Sequence, residues 1–181
     1  MLKMIDMIKD PIIKEAIENL LNKDDIDALK AEYAEEVAYW SYKLLEEKHL
    51  ISNGTQQAFV DLIISAALIH NLFVNEEDMV NAPYQVFEAR KNLTEHFNEH
   101  KLTSEFSNYI FTIIESQFGE DSPIPCVRPN RDTPQAIIAE AKFIVDHLEE
   151  YDRWFMHRFY PEIAEAEDAE EKELNDAIAE H

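Results

Sequence analysis

Apolar residues recur every three or four positions along most of this chain, and no segment alternates apolar and polar residues with a period of two. That periodicity predicts an all-α protein, and its interruptions set the limits of about seven helices. A short amphipathic helix is expected over residues 12–21, following Pro11, a residue well tolerated in a first helical turn. Asp24 or Asp25 is placed to cap the next helix, over 26–48, in which Ile26, Leu29, Tyr33, Val37, Trp40 and Leu44 make one buried stripe. SNGT then signals a loop, with Thr55 as the cap of a helix over 56–73. The centre of that helix is apolar all round, so it should run through the middle of the core.

Further helices are expected over 83–100 and 104–118, the latter stopped by Gly119. The stretch GEDSPIPCVRPNRDTP holds four prolines in sixteen residues and reads as an ordered loop or a lid. Thr133 followed by Pro134 is a cap and a first helical position, opening a last core helix over 135–155. The chain therefore divides into an N-terminal helical extension (1–25), a helical core (26–156) and an acidic tail (157–181). From Pro161 onward there are nine acidic residues and one lysine, a pattern of a solvated helix or of an interaction tail.

Composition removes several function classes. Only two of 181 residues are glycine, which excludes the glycine-rich loops that cradle dinucleotides or nucleoside phosphates. A formal net charge of −22 repels nucleic-acid backbones and anionic lipid heads, unless acidic groups imitate nucleic acid toward a basic protein. The longest apolar run, Leu62 to Ile69, is far too short to cross a bilayer. A single cysteine, Cys126, and a start interrupted by charge (MLKMIDMIKDPII) indicate a cytoplasmic protein.

The phrase ALIHNLF places a His-Asn pair, His70 and Asn71, at the end of the most apolar helix, and IESQFG precedes the proline-rich loop. From Glu32 to Glu150 this order of segments resembles the HD-domain superfamily of metal-dependent phosphohydrolases, with the closest likeness to small HD proteins of phages and prophages. ALIHNLF is similar to that family's A-L-x-H-D-L/I and IESQFG to its I-E-S-H-x-G. The resemblance implies a single HD-like helical bundle with a divalent metal held by an early His, a His-Asp doublet and a late Asp, and with further His residues where two metals bind. Such an ion polarises a phosphoryl oxygen and generates hydroxide.

Matched residue by residue, those positions fall at Tyr33, His70 with Asn71, Gln117 and Lys142, so only His70 keeps the family's residue. A neutral amide is a poor substitute for a bridging carboxylate, and an ammonium opposes a cation outright. The His-Asn pair thus reads as the remnant of a dismantled metal doublet, with no metal expected and Lys142 paired with a carboxylate such as Glu115. Asp146, four residues after Lys142, shares its helical face and is the other candidate ligand. If any ion is held, His70 and Asp146 would hold it.

Two functions follow from the resemblance and the charge. The first is a noncatalytic HD-like interaction module with no cofactor, directed at a protein with a basic surface; in a phage context that partner would be a host or defence protein. The second is a phosphohydrolase acting on nucleotides or other phosphate esters, with a divalent ion held by His70, Asn71 and Glu115 or Asp146.

Three other features carry weaker chemistry. TEHFNEH contains His-x-x-Glu-His, the order of an inverted zincin, with His96 and His100 on one face but no third ligand in sight. Cys126 has Arg128 nearby but no base to activate it. In YDRWFMHRFY, Trp154 and Arg158 share a helical face. Its aromatics either pack the last helix onto the core or join two copies of the chain, and its arginines pair with the acidic tail.

Overall fold

A computed structural model describes residues 3–48, 57–72, 74–75, 81–118 and 133–180. Among them every regular element is helical, as the periodicity predicts: a 3₁₀ turn at Met4–Met7 and eight α-helices. These are α1 (Pro11–Leu21), α2 (Ala28–Glu47), α3 (Gln57–Ile69), α4 (Ala82–Glu99), α5 (Ser104–Ser116), α6 (Pro134–Asp146), α7 (Leu148–Phe159) and α8 (Pro161–Ala179). No described helix is long and apolar enough to cross a membrane. The expected cap at Thr55, the proline-rich loop and Cys126 lie outside the described residues.

The chain forms two units, residues 1–145 and 146–181. In the first, α3 is the central element: from Val60 to Ile69 all but Leu62 are buried, and it packs against α1, α2, α5 and the 3₁₀ turn. An isolated buried carboxylate is costly unless donors surround it. Asp61, in the middle of this helix and only 2% exposed, meets that condition by accepting from the backbone N–H groups of Lys9 (2.9 Å) and Asp10 (3.0 Å) and from Gln57 Nε2 (2.8 Å). The segment before and within α1 is therefore stitched to the central helix, with Ala16, Ile17 and Leu20 buried.

Local signals explain the helix limits. Asp10 caps α1 by accepting from Ile12 N (2.9 Å) and Ile13 N (3.3 Å), with Pro11 at the first position. For α2 the cap is Asp27, accepting from Leu29 N and Lys30 N, rather than Asp24 or Asp25, which sit in the preceding turn. The helix begins later than expected, and Leu29, placed in its buried stripe by the periodicity, is 77% exposed in the first turn. Val37 and Leu44 are buried as expected. Thr133 caps α6, accepting from Ala136 N at 3.2 Å.

At the end of α4, Lys101 takes a left-handed conformation (φ 61°). Its N–H donates to Asn98 O and that of Leu102 to Phe97 O. That is the paired closure of a Schellman motif, with Leu102 and Phe97 both buried. A lysine here occupies a position that usually falls to glycine.

The single helix expected over 135–155 is instead two. His147 leaves the helical region (φ −129°, ψ 36°) between α6 and α7. The buried stripe of α6, Ile137, Ile138, Ala141 and Ile144, stops just before this break. In the second unit α7 and α8 pack together, and His157 pairs with Asp168 across them at 2.9 Å. Every described residue of α8 except Ala164 is exposed.

Candidate functional site

The His-Asn pair lies in the turn that closes α3, one and two residues beyond its last helical residue rather than within it. His70 is 1% exposed and its Nδ1–H donates to the carbonyl oxygen of Ala67 at 2.6 Å. That bond assigns the lone pair to Nε2, a buried atom with no hydrogen-bond partner. Burial, reinforced by the positive charge of Lys142 and opposed by the Ala67 bond, pulls the imidazole down to about 4. At neutral pH the ring is uncharged.

Asn71 is 7% exposed; its Nδ2 donates to the carbonyl oxygen of Lys30 at 3.2 Å, while Oδ1 is buried without a partner. The Lys30 ammonium donates in turn to the carbonyl oxygen of Val74. One turn further along α2, the Tyr33 ring stands 6.1 Å from the His70 ring, centroid to centroid. The turn after α3 is thus fastened to one short stretch of α2.

Lys142, on α6, lies within electrostatic reach of His70 and sets its ammonium 5.2 Å from the centre of the Phe118 ring. Gln117, buried at the end of α5, donates through Nε2 to the carbonyl oxygen of Gln135 at 3.1 Å, tying α5 to the first turn of α6. Tyr33, His70, Asn71 and Lys142 are accordingly drawn to one region of the first unit, and Gln117 adjoins Phe118 on its α6 side.

Glu115 is placed elsewhere. Its carboxylate is exposed and binds Arg90 of α4 at 3.0 Å, so it does not pair with Lys142 as expected from the sequence. Position explains the difference: Glu115 lies on the solvent side of α5, whereas the neighbouring Ile113 and Ile114 are buried. Asp146 is exposed at the last position of α6. Among the described residues, no group of three or more His, Cys, Asp or Glu side chains stands close enough together to hold a metal ion.

The site can therefore hold a neutral imidazole beside a cation, with two unmet acceptors, His70 Nε2 and Asn71 Oδ1. Among the described residues it offers no anionic cradle. Sequence reasoning missed Asp61, the most extensively hydrogen-bonded buried carboxylate described, although the signal was present: a lone acid in FVDLII, on a helix apolar all round, has to be partnered.

Comparison with protein-family models, curated proteins and solved structures returns no match to this chain.

Proposed function

We propose that the chain is a noncatalytic helical protein of the HD type that acts as an acidic binding module for a protein with a basic surface. The observation that carries this reading is the surroundings of His70: a buried, uncharged imidazole beside the Lys142 ammonium, with an amide at Asn71 and a phenol at Tyr33. Among the described residues, a divalent ion entering there would meet the Lys142 ammonium and no cluster of carboxylates, and phosphoryl transfer of the metal-assisted kind needs the opposite arrangement. The binding half of the proposal rests on charge. The chain carries 38 acidic against 16 basic residues, and α8 displays its share on an almost wholly exposed helix. Such a surface favours rapid, salt-sensitive association with a basic partner.

The test has two arms. Hydrolysis of nucleoside phosphates with added manganese is expected to stay at background, and metal-stimulated turnover lost in His70→Ala would overturn the noncatalytic reading. Truncation after Tyr160 is expected to leave the melting of the first unit unchanged and to weaken binding to a basic protein at low salt. Unchanged binding at low salt rejects α8 as the docking element.

A further inference from the structure

A pair of histidines elsewhere in the first unit takes no part in that reading. His96 lies in the last turn of α4 and His100 caps the helix, one turn apart on the same face. Their ring centroids are 4.5 Å apart and their planes are inclined by 48°, a tilted approach rather than a stack. His96 Nε2 is 2.8 Å from the carbonyl oxygen of Ala16 on α1. Because a carbonyl only accepts, Nε2 carries the proton and Nδ1 keeps the lone pair. Donation of one ring N–H to a carbonyl while the other nitrogen stays open is how metal-ligating imidazoles are oriented.

We propose that His96 and His100 together form a chelating site for one divalent transition-metal ion of the zinc, nickel or copper type. The ring separation supports it. An ion about 2.0–2.1 Å from an imidazole nitrogen lies about 3.2 Å from the ring centre, so two imidazoles bound about 90° apart have centres about 4.5 Å apart. The observed 4.5 Å equals that separation, so the spacing of the two rings is already that of a shared ion. The Schellman closure at Lys101 and Leu102 fixes the end of the helix that presents His100.

The surrounding field favours a cation. Glu95 and Glu99 are exposed on the same turn, and a net charge of −22 raises the cation concentration near the whole surface. Two imidazoles select borderline transition metals over magnesium, calcium or manganese, which prefer oxygen ligands. With no third His, Cys, Asp or Glu gathered in among the described residues, water fills the remaining positions. The ion's role is to bind and clasp: it closes the end of α4 through a histidine that also holds α1.

The experiment is calorimetric titration of the full chain with copper, nickel or zinc chloride, in wild type, His100→Ala, His96→Gln and His70→Ala. One equivalent is expected to bind, tightest for copper, with affinity at least tenfold weaker in His100→Ala and unchanged in His70→Ala. Because the His100 ring makes no side-chain hydrogen bond among the described residues, its removal spares the fold even if His96→Gln disturbs the contact with α1. Electron paramagnetic resonance of the copper form should show two coordinated imidazole nitrogens, and one in His100→Ala. Equal affinity in wild type and His100→Ala, binding lost instead in His70→Ala, or no binding at all would each overturn the site. Because the outcome is assigned through His100 and not His70, it succeeds or fails independently of the proposed function.

Discussion

The Nδ1–H of His70 donates to the carbonyl oxygen of Ala67 at 2.6 Å, so a fully buried ring is held in one tautomer with its other nitrogen facing the protein interior. Burial first, and the Lys142 charge second, pull this imidazole from its ordinary 6.5 down to about 4. In the unfolded chain it titrates near the ordinary value, so between about pH 6.5 and 4 the unfolded state binds the additional proton. Stability from this group is therefore complete above about pH 6.5, falls as the pH drops and is lost below about 4. At about 1.4 kcal/mol per pH unit the loss is on the order of 3 kcal/mol. Urea denaturation at pH 7 and pH 4 should show wild type losing that much more than His70→Gln, the comparison removing the carboxylates common to both. Equal acid losses would show that His70 carries no such shift.

Lys142→Met tests the second cause. Removing the ammonium is expected to move the His70 pKa upward while leaving it below the ordinary value, because burial is the larger effect. The His70 ring proton, followed by NMR against pH, reports the change directly. A downward movement, or none, would mean that Lys142 does not act on the ring.

Much of the fold was legible because single segments carried it. The all-apolar centre of α3, the Thr133–Pro134 start and the Pro11 start all depend on residues adjacent in sequence. Where several residues satisfied one rule, the sequence could not choose: Asp24, Asp25 and Asp27 are all competent caps, and the turn joining Ile26 N to Lys23 O selects the last. The break at His147 had no proline or glycine to announce it, and only the end of the buried stripe at Ile144 marks it in retrospect. At the candidate site the sequence pointed to Tyr33, His70, Asn71 and Lys142, which the fold draws to one region, but it misplaced Glu115 and did not show the partners of the others. Whether Glu115 turns to Lys142 or to Arg90 depends on the placement of α4, which no local pattern encodes.

Asp61→Ala should be among the more damaging single changes in the first unit. It leaves the N–H groups of Lys9 and Asp10 and the Gln57 amide without their common acceptor. Partly buried donors left unmet cost about 1–3 kcal/mol each, reduced where water enters, so a total of about 2–4 kcal/mol is expected. Hydrogen exchange at the Lys9 and Asp10 amides should accelerate at the same time. Unchanged protection there would show that the N-terminal segment is held by its apolar contacts alone.

Lys101→Gly works in the other direction. With φ at 61°, Lys101 bears the steric cost of the left-handed region, roughly 1 kcal/mol, which glycine does not. Glycine's greater freedom in the unfolded chain offsets part of that gain, leaving an expected stabilisation of about 0.5–1 kcal/mol. A rise in denaturation midpoint with an unchanged slope is the signature, and a fall would mean that the lysine side chain contributes more than its backbone strain costs.

Three substitutions would introduce metal-binding side chains at the candidate site itself. Tyr33→His, Asn71→Asp and Lys142→Asp together supply an imidazole and two carboxylates around His70 and remove the opposing ammonium. The existing geometry suits this: His70 already donates Nδ1–H to a carbonyl and leaves Nε2 open, and Asn71 Oδ1 is already an unmet acceptor. Two imidazoles on one ion have ring centres at most about 6.4 Å apart, since each centre lies about 3.2 Å from the metal. The 6.1 Å between the Tyr33 and His70 rings falls within that limit. The triple variant, with His100→Ala added to silence the surface pair, is therefore expected to bind one manganese or nickel ion where the His100→Ala parent binds none. Removing His70 from it should abolish the gain. The carboxylates at 71 and 142 cost desolvation energy without the ion, so the apo variant should melt lower than wild type and recover as metal is added. A variant that folds but gains no affinity would show that the interior around His70 is packed too closely to admit an ion, and would count against the proposed HD-type reading.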